Sequence, residues 1–70
     1  MNKKLTQAEK ETLMAYADND MNLTATAKEM YCHYTTIWYR MDRVAIKTGL
    51  NPKCFYELVE LMDMARKGEL

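Results

Sequence analysis

Residues 34–48 concentrate hydroxyl, aromatic and guanidinium side chains at spacings that place many of them on one face of a helix. At about 100° per residue, Thr35, Tyr39, Asp42 and Ile46 project together, opposite an apolar stripe. Hydroxyl groups can donate to or accept from base edges and phosphate oxygens, and aromatic rings can pack on sugars or thymine methyl groups. The chemistry that this face indicates is contact with a nucleic acid.

Further polar and aromatic side chains border this face. Thr36 and Arg43 lie on one flank, where Arg43 can bind a phosphate or a guanine edge. Trp38 lies on the other flank, and its position fits core packing as well as contact with DNA. Arg40 lies about 60° from the centre of the apolar stripe, so it can reach a phosphate or pair with a carboxylate as a structural residue. Both roles stay open for Trp38 and for Arg40.

Groups that could support catalysis or hold a metal are sparse. The one histidine, His33, lies in a short turn, where a capping or hydrogen-bonding role is more common than that of a general base. Cys32 and Cys54 lack metal-ligand spacing and are expected to be small buried thiols. We therefore expect a protein that is not an enzyme, with no catalytic residue, no metal site and no cofactor.

The composition bounds the remaining possibilities. A chain of 70 residues suits one domain, residues 1–70, and 49% hydrophobic with 29% charged residues is typical of a compact globule. Ten basic and ten acidic residues cancel, so affinity for DNA must come from a local cluster. No apolar run is long enough for a membrane span or an export signal, which predicts a cytoplasmic location. Residues 22–48 hold two acidic residues against four basic ones, Lys28, Arg40, Arg43 and Lys47.

Cap and turn signals predict an all-α domain of four helices. Thr6 opens a capping box of the form S/T-x-x-E, and Thr24 can cap a second helix. Gly49 can close a third helix. Asn51 followed by Pro52 can start a fourth. The predicted ranges are about 7–17, 24–31, 34–48 and 52–67.

Apolar residues recur at helical spacing within each predicted helix and are expected to form the core. In chain order they are Leu13, Tyr16 and Ala17; Leu23, Ala27 and Met30; Ile37, Met41 and Val44, with Thr48 continuing the same spacing; and Phe55, Leu58, Leu61, Met62 and Ala65. The second and third helices must meet across a very short turn that contains neither Gly nor Pro. A short helix, a tight turn and a longer helix form a helix-turn-helix, whose second helix lies in the major groove of DNA.

The residues of this helix pair resemble a known family. Residues 22–41, with the sequence NLTATAKEMYCHYTTIWYRM, are similar to the carboxy-terminal helix-turn-helix of the PucR and sugar-diacid-regulator family of bacterial transcription regulators. The family pattern there is roughly N-L-S-x-T-A-x-x-L-x-V-H-x-N-T-L-x-Y-R-L, and the similarity continues more loosely to Leu58. The resemblance implies a small bacterial-type regulator that binds double-stranded DNA sequence-specifically, with residues 34–48 as the recognition helix.

Carried over by position, the resemblance implies that residues 33–39 face DNA and that Arg40 and Arg43 anchor the recognition helix. Tyr34 and Trp38 stand where family members often have arginine, and Lys47 stands where an apolar residue is usual. No small-molecule effector is implied. The expected DNA-contacting residues are Thr24, Lys28, His33, Tyr34, Thr35, Thr36, Trp38, Tyr39, Arg40 and Arg43.

A protein-protein interaction module is the alternative function. Ile46 projects outward, and Val59 and Met64 widen the apolar stripe of the fourth helix beyond what a small monomer easily covers. A homodimer through the fourth helix would cover this surface and place two recognition helices about 34 Å apart. The aromatic and apolar face of the third and fourth helices could equally bind a different partner protein.

Overall fold

The computed structural model describes residues 4–70, which fold into four α-helices with no β-strand among them. The predicted all-α architecture is confirmed, and the predicted bounds of the third helix are those observed. The assignment of residues 1–70 to one domain stays a prediction, since residues 1–3 lie outside the described residues. The helices are α1 (Gln7–Asp18), α2 (Leu23–Glu29), α3 (Tyr34–Thr48) and α4 (Phe55–Arg66).

Two of the predicted end signals hold in the structure. At the start of α1, the Thr6 hydroxyl accepts from the Glu9 amide at 3.1 Å and the Glu9 carboxylate accepts from the Thr6 amide at 2.9 Å. This capping box satisfies two N–H groups that have no partner within the helix. At the end of α3, Gly49 adopts a left-handed φ of 77°, and its N–H donates to the Ala45 carbonyl at 2.8 Å.

The start of α2 differs from the prediction. Asn22, not Thr24, is the N-cap, because its side-chain oxygen accepts from the Ala25 amide at 3.0 Å. Thr24 therefore lies inside the first turn, and it is exposed to solvent. The helix ends at Glu29, ahead of the predicted end.

The start of α4 also differs from the prediction. Asn51 and Pro52 form a turn instead of the first helical turn: the Asn51 side-chain oxygen accepts from the Lys53 amide, and its carbonyl accepts from the Cys54 amide, both at 3.0 Å. Pro52 is fully buried, and Cys54 becomes the N-cap. The expectation that Phe55 is a core residue is wrong, because this register leaves Phe55 60% exposed.

The turn between α2 and α3 needs no glycine because Tyr31 adopts a left-handed φ of 54°. The Cys32 amide donates to the Ala27 carbonyl at 3.0 Å, and the Tyr31 amide donates to the Lys28 carbonyl at 3.2 Å. This hydrogen-bond pair is a Schellman motif, which satisfies carbonyl groups at the helix end and reverses the chain direction within a few residues. The very short turn that the sequence predicts is thereby confirmed.

The core lies between α1, α3 and α4. Leu13 from α1 and Leu61 from α4 are completely buried, as are Ile37, Met41 and Val44 of the α3 stripe. Burying each such side chain contributes about 1.5–3 kcal/mol, so this stripe holds α3 firmly on the rest of the domain. The sequence also predicts an outward face of α3. Because this stripe is buried, the residues on the opposite side of the helix face solvent.

Two fully buried threonines and two cysteines depart from the expected core. The hydroxyls of Thr12 and Thr26 each donate to the carbonyl four residues earlier at 2.7 Å, which satisfies these polar groups inside the protein. Cys32 and Cys54 were expected to be buried, but both are half-buried and unpaired. Their positions in the two turns that flank α3 explain this exposure, because turns lie at the surface.

Candidate nucleic-acid interface

The helix-turn-helix is built on α1. α2 and α3 pack on each other and both pack on α1, while α4 packs on α1. The small Ala27 side chain is buried in α2, where it allows the close approach of the helix pair. This arrangement fixes which face of α3 points to solvent.

The outward face of α3 contains the residues that the sequence analysis expects there. Tyr39 is 64% exposed and Trp38 48% exposed. Tyr34 and Thr35 are exposed as well, as is Asp42. Thr36 and Arg43, predicted for the flank of this face, are half-buried. The structure therefore brings hydroxyl, aromatic and guanidinium groups together on one surface.

His33 lies at the N-terminus of this face. It is the N-cap of α3 and makes no side-chain cap hydrogen bond, and its Nδ1 lies 3.2 Å from the Thr35 hydroxyl. The Thr36 amide donates to the His33 carbonyl at 3.0 Å, and the His33 side chain does not cap the positive end of the α3 helix dipole. Such an N-terminus can accept an anionic group.

Arg40 turns toward α1. Its Nη1 donates to the buried Thr12 hydroxyl at 3.2 Å, so Arg40 links α3 to α1. Of the two roles left open by the sequence, the structural one is therefore present, with a hydroxyl as partner in place of a carboxylate. A guanidinium has five N–H donors, so this hydrogen bond leaves donors for another acceptor.

Lys47 does not contribute to the exposed positive cluster that the sequence predicts. Its Nζ lies 2.7 Å from Glu9 Oε1, and the two side chains are only 13% and 8% exposed. Burial alone would raise the pKa of Glu9, but hydrogen bonds from Lys47 and Thr6 and the charge of Lys47 outweigh it and lower the pKa below 4.5. Both groups are charged at neutral pH and cancel, so the pair joins α1 to the end of α3.

Two further cations of the helix-turn-helix lie on the same helices as acidic residues. Lys28 on α2 is exposed and Arg43 on α3 is half-buried, and neither forms an ion pair within residues 4–70. Glu29 and Asp42 on the same two helices are exposed and carry the opposite charge. The local excess of two positive charges that the sequence indicates is therefore reduced once Lys47 is paired with Glu9.

A cation that the sequence analysis did not assign to this surface lies beside Trp38. The ammonium of Lys53, in the turn between α3 and α4, is 3.4 Å from the centroid of the Trp38 ring. Helical periodicity could not identify it, because Lys53 lies outside any helix and its partner is fifteen positions earlier in the chain. The Trp38 ring lies under this cation and is absent from the core cluster, so Trp38 is not a core residue, and its contact with DNA stays a prediction.

A second exposed surface lies along α4. A groove of about 710 Å³ separates α4 from the end of α1, and Ala17 and Met21 contribute to its lining. Phe55, Tyr56 and Val59 line it from α4 and are mostly exposed. This groove contains the α4 part of the surface predicted for the alternative function, while the predicted α3 residues Trp38 and Ile46 are exposed outside it.

Other kinds of site find little support in the described part of the chain. Within residues 4–70, no three His, Cys, Asp or Glu side chains are grouped so that they could hold a metal ion. None of the helices described there is long and apolar enough to cross a membrane.

α2 and α3 form a helix pair that packs on α1 and has a polar and aromatic outer face. This pair defines the class of the protein: a helix-turn-helix domain of the DNA-binding type. The family model of the PucR C-terminal helix-turn-helix domain matches residues 10–63, and the chain belongs to this family. The resemblance seen in the sequence is thereby confirmed. No curated protein and no solved structure matches the chain.

Proposed function

We propose that the protein binds double-stranded DNA sequence-specifically as a bacterial-type transcription regulator, with α3 in the major groove. Membership of the PucR helix-turn-helix family supports DNA binding in transcription regulation. The observation that carries the specific mode is the two-sided character of α3: Ile37, Met41 and Val44 are completely buried, while Thr35 and Tyr39 on the opposite face are exposed. A helix held in this way can enter a groove without losing core contacts.

The proposed contacts divide into base contacts and backbone contacts. Thr35 and Tyr39 on the outward face and Thr36 on its flank meet base edges or thymine methyl groups, because all three lie in the first two turns of α3. Arg43 and Lys28 bind phosphates, since neither is committed to an ion pair within residues 4–70. The set is completed by residues at the edges of this surface, Thr24, His33, Tyr34, Trp38 and Arg40.

The N-terminus of α3 supports this docking. Because the His33 side chain forms no cap hydrogen bond, the first-turn N–H groups can bind a phosphate at the groove edge. Arg40 holds the helix on α1 through Thr12 and keeps donors for a second phosphate. Since its target is DNA, the protein acts in the cytoplasm of a bacterial-type cell.

Selection from a random duplex library at low salt, followed by sequencing of the retained duplexes, tests the proposal. We expect enrichment of a short motif. In the matched variant Thr35→Val, the free-energy difference between the preferred base and the other bases should change by about 1–3 kcal/mol at one position of that motif. Thr35→Val is suitable because Thr35 is exposed and its loss leaves the core intact. No enrichment by a folded protein would contradict sequence-specific binding.

The apolar groove beside α4 favours a second candidate function, a protein-protein interface. We propose that its occupant is a second copy of the chain, which gives a homodimer with two recognition helices one helical turn of DNA apart. Enrichment of an inverted repeat with half-sites about 10 bp apart supports DNA binding and the dimer together. The alternative, a protein-protein interaction module, is supported if the chain binds a partner protein with an affinity that changes little with salt concentration and binds no DNA.

A further inference from the structure

We propose that Lys53 and Trp38 form a binding site for the sugar-phosphate backbone of DNA, at the side of the recognition helix. The inference rests on the proposed DNA binding and adds a contact from outside the helix-turn-helix. The turn between α3 and α4, residues 49–54, supplies the cation, and α3 supplies the ring.

The geometry leaves this cation available to a ligand. Lys53 Nζ lies 3.4 Å from the centroid of the Trp38 ring, and within residues 4–70 it forms no ion pair. An ammonium has three N–H donors, and contact with the ring face satisfies only part of that capacity. An exposed cation–π contact contributes about 0.5–1 kcal/mol, which positions the ammonium without removing its positive charge.

The turn that carries Lys53 is well fixed. The Lys53 amide donates to the Asn51 side-chain oxygen at 3.0 Å, and the Asn51 amide donates to the Glu57 carboxylate at 2.8 Å. Pro52 is fully buried next to it. Because the backbone on either side of Lys53 is held, less conformational entropy is lost when the side chain binds a phosphate.

The charge distribution gives this cation particular weight. Lys47 is paired with Glu9, and the remaining residues of 22–48 include the acidic Glu29 and Asp42 beside the basic Lys28, Arg40 and Arg43. Lys53 adds a positive charge to a surface that is otherwise close to neutral. A protein with a formal net charge of 0 has no overall field to attract DNA, so each local phosphate contact matters more.

The chemistry of the pair fits the DNA backbone and carries no base information. The ammonium can bind a non-bridging phosphate oxygen, and the exposed part of the indole can pack on the adjacent deoxyribose, with its N–H as a further donor. Such a contact fixes the register of α3 in the groove while leaving base contacts to Thr35 and Tyr39. It should therefore operate on duplexes of any sequence.

Trp38 is the only tryptophan, so its fluorescence reports on this site directly. The experiment titrates the wild-type chain and Lys53→Met with a labelled mixed-sequence duplex at several salt concentrations, following label anisotropy and Trp38 emission together. The matched control is Lys67→Met, which removes an exposed lysine on the far end of α4. Lys53→Arg restores the charge at the original position.

In the wild type, we expect Trp38 emission to change as the duplex binds. Lys53→Met weakens binding about two- to tenfold and reduces the slope of log affinity against log salt by about 1, while Lys67→Met leaves both values unchanged and Lys53→Arg restores the slope. Duplex binding with an unchanged Trp38 emission, or with an unchanged slope in Lys53→Met, overturns the backbone contact and leaves the proposed function intact. Absence of any duplex binding by the folded wild type overturns both.

Discussion

Individual cations of this small domain have different tasks, although the sequence presents them as one cluster. Lys47 and Arg40 bond to residues of α1, and Arg43 stays uncommitted among residues 4–70. Charge alone therefore does not identify a DNA contact. What distinguishes Arg43 is the absence of a protein partner in that part of the chain, together with its place on the flank of the outward face of α3.

We expect Arg43→Ala to weaken DNA binding about equally on all sequences and to reduce the salt slope by about 1, because a lost phosphate contact releases one counterion fewer. Arg43→Lys keeps the charge and should keep the slope. Fluorescence anisotropy at several salt concentrations measures both quantities. If Arg43→Ala keeps the wild-type affinity and slope, the proposed docking of α3 is incorrect.

Two local structures position α3 relative to its neighbouring helices. One is the turn after α2, where Tyr31 holds a positive φ that residues with a side chain adopt at an energetic cost. The other is the ion pair between Glu9 of α1 and Lys47 of α3. The first sets the angle between α2 and α3, and the second ties the end of α3 to the start of α1.

Tyr31→Gly should stabilise the protein by about 1 kcal/mol, because glycine adopts a φ of 54° without steric strain. The Tyr31 side chain is 96% exposed, so little packing is lost. Chemical denaturation of wild type, Tyr31→Gly and Tyr31→Ala measures the effect. The alanine variant retains the strain and should show no such gain; equal stability of the glycine and alanine variants would contradict the explanation.

Glu9→Gln should lower the free energy of unfolding at neutral pH by about 1–3 kcal/mol, because Lys47 then keeps a half-buried charge without its carboxylate. Glutamine can still complete the capping box, so the variant isolates the ion pair. A double variant with Lys47→Met should recover part of the loss, since it removes the unpaired charge.

The same pair predicts a pH dependence. The pKa of Glu9 is lowered in the folded protein, so its contribution to stability is fully present above its usual value of 4.5 and is lost as pH falls below it. Denaturation at a series of acidic pH values should show a shallower loss of stability for Glu9→Gln than for the wild type. Identical slopes in the two proteins would show that this pair contributes nothing to the acid sensitivity.

At the scale of the whole molecule, the described residues present two exposed surfaces of different chemistry. The helix-turn-helix presents polar and aromatic groups, and the groove beside α4 presents Phe55, Tyr56 and Val59. If the proposed function holds, a chain of 70 residues with no net charge would make few phosphate contacts as a monomer. Pairing through α4 would double those contacts without any change in the recognition surface.

Sedimentation at tens of micromolar protein should give twice the 8.2 kDa mass of one chain if α4 mediates a homodimer. Val59→Glu should restore the monomer, because Val59 is 52% exposed and the change places a charge in an apolar interface. Met14→Glu on α1 is the control, being an exposed apolar residue outside the groove. A wild-type mass of 8.2 kDa would contradict the dimer.

Local features of this protein follow from its sequence because they depend on residues within a few positions of each other. The capping box of Thr6 and Glu9, the helix-closing Gly49 and the buried stripe of α3 are all of this kind. The family resemblance at residues 22–41 can be recognised for the same reason, since one contiguous segment forms the helix pair. Errors arise where two local structures compete, as at Asn51, whose side chain can cap a helix or close a turn.

Long-range contacts of single side chains depend on the packed fold. Lys47 reaches Glu9 across 38 positions and Arg40 reaches Thr12 across 28, so neither partner can be identified from spacing. Lys53 meets Trp38 across 15 positions, from a turn in which the neighbouring Pro52 is buried. The local sequence around the lysines and arginines does not show which of them bond to another residue. The packing of the helices selects which of them bond to protein and which stay exposed, because a charge must find a partner wherever packing removes it from water.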